Sequence, residues 1–123
     1  NEEKRVNVQI EMSNFSKKQG LLYFFKGNDS LGLFQSKILK SFIDKYNIAL
    51  IPISLDKISN QYFPIPVSDN GRSKKLGITV SPAILALDIR TKKITPIAYG
   101  VTSEIELEDK IYTYMTKGMS HEN

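Results

Sequence analysis

The sequence predicts one α/β domain in which a mixed β-sheet carries helices on its flanks. Three observations lead there. Gly20–Phe25 ("GLLYFF") and Ile48–Ser54 ("IALIPIS") are short continuous apolar runs, as expected of strands buried on both faces. An amphipathic stretch separates them, and a strand–helix–strand unit of that length calls for a right-handed parallel crossover. Two later runs, Ser81–Asp88 and Ile94–Gly100, are joined by a turn too short for any crossover, so they form an antiparallel hairpin. A sheet with both kinds of neighbour is mixed, and 123 residues suit a single core.

Taken in order, residues 1–19 form an N-terminal segment with two readings. "VNVQI", Val6–Ile10, alternates apolar and polar as a strand does, and it fits equally well the tail of a helix. The domain proper is read over 20–117. After the first strand, Gly27 frees the backbone for a turn, and Asp29 or Ser30 caps the helix that follows. Leu31, Phe34 (or Gln35), Ile38, Phe42 and Tyr46 recur at helical spacing and predict the stripe that faces the core. Gly32 in the first turn weakens this helix by about 0.5–1 kcal/mol relative to Ala. Asn47 fits its stop. Pro52 inside the second strand demands an edge position or a strand end.

Residues 56–71 hold Pro64, Pro66 and Gly71 and read as an extended loop, followed by one or two helical turns over Arg72–Leu76. The last element opens on a capping box, Ser103 with Glu106, ahead of Leu107, Ile111 and Tyr114. Glu104, Glu106, Glu108 and Asp109 load its first turns with negative charge, which suits the helix dipole. Lys117 and Gly118 are read as its end, leaving 118–123 as a tail that contains the single histidine, His121.

Composition removes several chemistries. The chain has no cysteine, which excludes disulfides, thiol catalysis and thiolate-held metals. No apolar run nears the roughly 20 residues that span a bilayer. "NEEKRVNVQ" is polar from its start and shows no signal-peptide pattern, and a chain that does not begin with Met reads as a piece of a longer one. The net charge is +4, with small basic clusters at Arg72–Lys75 and Arg90–Lys93. Aromatics do not alternate with them, so no stacking platform for nucleic acid is visible. A peripheral contact with anionic lipid or an acidic partner stays open. Asp56, Asp69 and Asp88 are separated acids rather than a catalytic pair. No Ser–His arrangement exists, and "GNDSLG" lacks the Gly-Lys-Ser/Thr ending of a phosphate loop. No cofactor or metal is expected.

The element order, β-α-β, a loop with a short helix, a β-β hairpin and a final helix, is the core order of the thioredoxin fold. With that order in place, "YFFKGNDS", "YNIALIPISLD", "SDNGRSKKLGITVSPAILALD" and "ITPIAYGVTSEIELEDKI" resemble the C-terminal thioredoxin-like domain of TraF-type proteins. These are pilus-assembly proteins of F-type conjugative (type IV secretion) systems. The resemblance runs from about Gly20 to Tyr112. Some members carry Cys-x-x-Cys at the helix start, where this chain has Ser30, Leu31, Gly32 and Leu33. An engineered pair of Cys→Ser changes leaves two serines, so the chain looks like the cysteine-less type.

The resemblance implies export to the periplasm and work beside other periplasmic proteins of the transfer apparatus; it does not imply an enzyme activity for the cysteine-less form, and none is expected. Ser81-Pro82 matches the place where thioredoxin folds hold a cis proline, beside which redox relatives pair with an extended peptide. The expected partner groove therefore lies between Asn28, Asp29, Ser30, Leu31, Gly32, Leu33 and Val80, Ser81, Pro82. Two other classes remain as alternatives. One is a periplasmic thiol–disulfide or chaperone-like factor, which the missing cysteines oppose. The other is a nucleic-acid binder, which the scattered bases oppose.

Overall fold

The computed structural model describes residues 1–120 of the chain; His121 and the end of the tail lie outside the described residues. Five strands form one sheet: β1 (Gln19–Phe25), β2 (Leu50–Ser54), β3 (Val67–Ser68), β4 (Ala83–Asp88) and β5 (Ile94–Tyr99), in the spatial order β3-β2-β1-β4-β5. β1 pairs parallel with β2 (Leu21 opposite Leu50) and antiparallel with β4 (Leu22 opposite Leu85), so the sheet is mixed. The helices are α1 (Glu2–Lys18), α2 (Ser30–Tyr46), the short α3 (Arg72–Lys75) and α4 (Glu104–Ser120).

β1 is the central strand and is buried along its whole length. Its side chains alternate between two faces, as strand geometry requires. Leu21, Tyr23 and Phe25 point into a core completed by Met12 and Phe15 of α1, Leu39 and Phe42 of α2, and Leu107 and Ile111 of α4. Tyr23 stacks on Phe25 with ring centroids 5.1 Å apart, and Phe63 from the loop after β2 closes on both. Leu22 and Phe24 point the other way, to a smaller cluster with Ile53, Ala83 and Leu85, against which Leu55, Leu76 and Ile78 of the α3 region, and the strand residues Leu87 and Ile94 pack.

Several sequence expectations change here. Val6–Ile10 is helical: α1 runs through it, and the helix reading of the two is the right one. α1 docks by two residues one turn apart, Met12 and Phe15, with Phe15 edge-on to Tyr114 of α4 at 6.2 Å. Two anchors in 17 residues make a weak helical pattern, and that left the local alternation ambiguous. The buried face of α2 is Gly32, Gln35, Ser36, Leu39 and Phe42. Leu31 and Phe34, assigned to the core stripe, are 53% and 58% exposed. The first turns of α2 meet a hydroxyl and a backbone segment, so the inward positions there are polar. α4 continues past Gly118 to Ser120. A single glycine costs about 1 kcal/mol against Ala, too little to end a helix that is capped and packed. The expected extended loop at 56–71 holds the two-residue strand β3.

Pro52 sits where its missing N–H costs nothing. Leu55 donates to Phe25 of β1, while Ser54 accepts from Asp69 on the β3 side. Pro52 has the parity of Ser54 and so faces outward, and β3 reaches only Ile53 and Ser54.

Candidate functional site

The site lies where β1 ends and β4 begins, two neighbouring strands whose paired residues Phe24 and Ala83 mark one end of the sheet. On the β1 side the chain turns at Lys26–Asn28 and enters α2. That turn is tied by one carboxylate. Asp56 accepts from the N–H groups of Gly27 (2.9 Å), Asn28 (3.0 Å) and Ile58 (3.1 Å), and from the Ser54 hydroxyl (3.0 Å). Burial raises the Asp56 carboxyl, but these four donors together outweigh it and hold the group at about 2, below its ordinary 3.8. Gly27 passes so close to Ile58 that a Cβ would stand 2.1 Å from its carbonyl oxygen.

Asp29 caps α2, its side chain accepting from Leu31 N–H at 3.2 Å while its carbonyl accepts from Leu33 N–H at 3.0 Å. Gly32 is the tightest point. A Cβ there would lie 2.4 Å from the Lys26 carbonyl oxygen, so the first turn of α2 can lie against the end of β1 only because this residue is glycine. The Tyr23 hydroxyl donates to the Gly32 carbonyl at 3.2 Å and shares a 2.8 Å bond with the Ser36 hydroxyl, which also accepts from the Asn60 amide at 3.0 Å. Burial pushes the Tyr23 phenol far up; the Ser36 bond opposes that and the Asp29 charge adds to it, so the hydroxyl is a fixed donor at any physiological pH.

The second wall is Val80–Pro82. Val80 is 48% exposed, Ser81 is half-buried and Pro82 is buried, and the Ser81-Pro82 peptide bond is cis. The Pro82 carbonyl accepts from Gly100 N–H at 2.8 Å. The turn from β5 to α4 then forms a third wall. Gln35, fully buried, donates to the Thr102 carbonyl (3.2 Å) and accepts from Thr102 N–H (2.6 Å). A chain of contacts therefore runs from α2 through Gln35 and Thr102 to Gly100 and Pro82. Ser103 and Glu106 close the predicted capping box reciprocally, at 3.1 and 3.2 Å.

The predicted residues thus divide by role. Gly32 and Pro82 are buried and structural, and Asp29 is a cap. Asn28, Ser30, Leu31, Leu33 and Val80 are exposed at one end of the sheet, with Ser81 half-buried among them. Phe34 of α2, Val101 of the third wall and Ile105 in the first turn of α4 are exposed apolar residues that were not foreseen. Nor was the Tyr23–Ser36–Asn60 network or the Gln35–Thr102 pair. One sign was legible: Gln35 shares its helical position with the apolar candidate Phe34, and a glutamine turned inward needs a backbone to hold.

A thioredoxin-fold domain with Ser30 and Leu33 at the first turn of its leading helix, and no thiol anywhere, is the class that fold and site define. The family model of the F plasmid transfer operon protein TraF matches residues 1–112, and the chain belongs to that family. Protein TraF of Escherichia coli (strain K12) is 26% identical over 96 residues, 78% of this chain; the chain spans 39% of that relative's length. Solved structures share the fold at low identity. StoA from Bacillus subtilis superposes with a TM-score of 0.58 at 17% identity, covering 76% of this chain and 81% of that one. DsbF of MTB, solved in mixed oxidized and reduced forms, gives 0.61 at 16%, covering 85% of each. The reduced N-terminal domain of PilB from N. meningitidis gives 0.60 at 16%, covering 78% and 80%. Among the described residues no helix is long and apolar enough to cross a membrane.

Proposed function

We propose that this domain is a non-catalytic docking module that serves assembly of the conjugative pilus and its type IV secretion apparatus through protein–protein contacts in the periplasm. The observation that carries the reading is the contrast at the start of α2. The positions matching a redox pair are Ser30 and Leu33, yet the surrounding frame is built with care: Gly32 against Lys26, Asp29 on Leu31, Gln35 on Thr102. Side chains that such a frame leaves exposed, Leu31, Leu33, Phe34 and Val80, are apolar. Exposed apolar groups on a hydrogen-bonded, tightly packed support are what a partner's extended segment or loop packs against. The occupants are other proteins of the transfer apparatus; the groove needs no cofactor for this.

The test is retention of transfer proteins from periplasmic extract of cells carrying the transfer genes, by the tagged chain and by its Ser30→Arg/Ser81→Arg variant. Both substituted positions lie off the core, and circular dichroism checks that the variant folds. Specific retention by the wild type and its loss in the variant is the expected result. Equal retention by both moves the binding face elsewhere and sinks the groove.

A further inference from the structure

We propose that the opposite face of the sheet, roofed only by α3 and its flanking loops, is a second docking surface whose occupant is an amphipathic α-helix of a partner protein carrying carboxylates along its flanks. This is independent of the groove at the start of α2.

A concave apolar groove of about 520 Å³ runs across this face. Leu22, Phe24 and Ile53 form its buried floor, while Ile51 and Val67 at its rim are 46% and 44% exposed. Arg72 and Lys75 of α3 stand over one side, and Leu87 and Ile94 close the other. Those two residues are the strand ends beside the β4–β5 turn, which carries Arg90, Lys92 and Lys93. The first basic cluster thus lines the groove through Arg72 and Lys75, and Lys93 of the second is the chain neighbour of Ile94 at its far side.

The charge count sharpens this. Between Ile48 and Gly100 there are seven basic and three acidic residues, a surplus equal to the net +4 of the entire chain, and the remainder is balanced at ten and ten. All three acids of this half are engaged internally. Asp56 holds the α2 turn, Asp69 accepts from Ser73 N–H and hydroxyl, and Asp88 accepts from Arg90 N–H, Thr91 N–H and the Gln19 amide. Arg72 is partly committed, donating to the Ser68 and Asp69 carbonyls. Lys74, Lys75, Lys92 and Lys93 are exposed, and the ion pairs found among the described residues involve none of them.

Shape selects the occupant. A bilayer is flat and takes up side chains that protrude, whereas the apolar groups here line a depression. A helix is convex, and helices are what cover the other face of the same sheet. An apolar floor with Arg72 and Lys75 on one side, and with Lys93 next in the chain to Ile94 on the other, matches a helix with an apolar stripe bordered by Glu or Asp.

The test uses the whole 123-residue chain, ¹⁵N-labelled. The probe is a synthetic amphipathic peptide about eighteen residues long, with leucines at helical spacing and glutamates on both flanks. A peptide with lysine in place of glutamate, a scrambled peptide and phosphatidylglycerol vesicles are the comparators. The acidic peptide is expected to shift the amide signals of Leu22, Ile51, Ile53 and Leu87 saturably. Lys75→Glu with Lys93→Glu should weaken it by about tenfold, and Ser30→Arg/Ser81→Arg should leave it unchanged. No shift, shifts elsewhere, or equal binding of the lysine peptide overturns the proposal. So does vesicle binding that the paired Lys→Glu change abolishes without any peptide binding, which would give this face to a membrane.

Discussion

On one face of the sheet Tyr23, Phe25, Ile84 and Ala86 lie beneath three helices of 17 residues each; on the other, Leu22, Phe24 and Leu85 lie beneath a four-residue helix and the loops beside it. The strands do not register the difference. β1 is apolar at Leu21 and Leu22 alike, at Tyr23 and Phe24 alike. A strand apolar on both faces is the signature of a sheet covered on both. The unequal cover in the isolated domain is thus a property of its helices, and the strands are already composed for a second layer. Net charge is divided too: the surplus of bases lies between Ile48 and Gly100, the segment that supplies Arg72 and Lys75 to the thinner face.

The largest test of this contrast is at Phe42, which is fully buried between α2 and the sheet and lies edge-on to Tyr46. Phe42→Ala should destabilise the domain by about 3–5 kcal/mol in urea denaturation followed by circular dichroism. A loss below roughly 1 kcal/mol would mean that the helix-covered face is not the one that holds the fold together.

Next comes Gly32→Ala. Helix propensity alone predicts a gain of about 1 kcal/mol. The Lys26 carbonyl in the way predicts a loss, because backbone cannot move aside as a flexible side chain does. The clash should win, with a net cost of about 1–3 kcal/mol by the same measurement. A stabilised variant would show that α2 is free to slide off the end of β1.

These two positions also show what was legible in the sequence. Phe42, four of the five strands, the hairpin and both caps could be read because each rests on local spacing or a local hydrogen bond, whereas the two-residue β3 fell in the expected loop. Gly32 could be seen only as a cost to its helix; the reason for it lies in Lys26, across a turn. Phe34 was misread for the same kind of reason. Hydrophobicity places it inside, but the inward positions of that turn must satisfy the Thr102 backbone and the Tyr23 hydroxyl, and so belong to Gln35 and Ser36. Of the groove, the two expected segments do stand at one end of the sheet. Its third wall at Gly100–Ser103 is remote in sequence from the start of α2 and gave no local sign.

Asp56 offers a test through pH. Its folded-state pKa of about 2 lies below the ordinary 3.8, so its contribution to stability is complete above about pH 4 and is lost as pH falls through about 2. Asp56→Asn removes the charge that Gly27, Asn28 and Ile58 donate to. The variant should be less stable at neutral pH, and its stability should fall less steeply than that of the wild type between pH 4 and 2. Parallel curves would mean that some other carboxylate governs acid unfolding and that the turn into α2 is held by its glycines and cap.

The smallest expected effect bears hardest on the comparison. Ile51 is a β2 residue on the thinly covered face, opposite Leu22 in the sheet and 46% exposed. It lines the groove and belongs to neither of the buried clusters. Ile51→Ala should therefore cost no more than about 0.5–1 kcal/mol, against the several lost at Phe42, even though both are large apolar residues within or against one sheet. A loss of 2 kcal/mol or more would mean that α3 and its loops already close this face, leaving no room for a further helix. A small loss that grows once an acidic helix is bound would place Ile51 in a layer completed only by the partner.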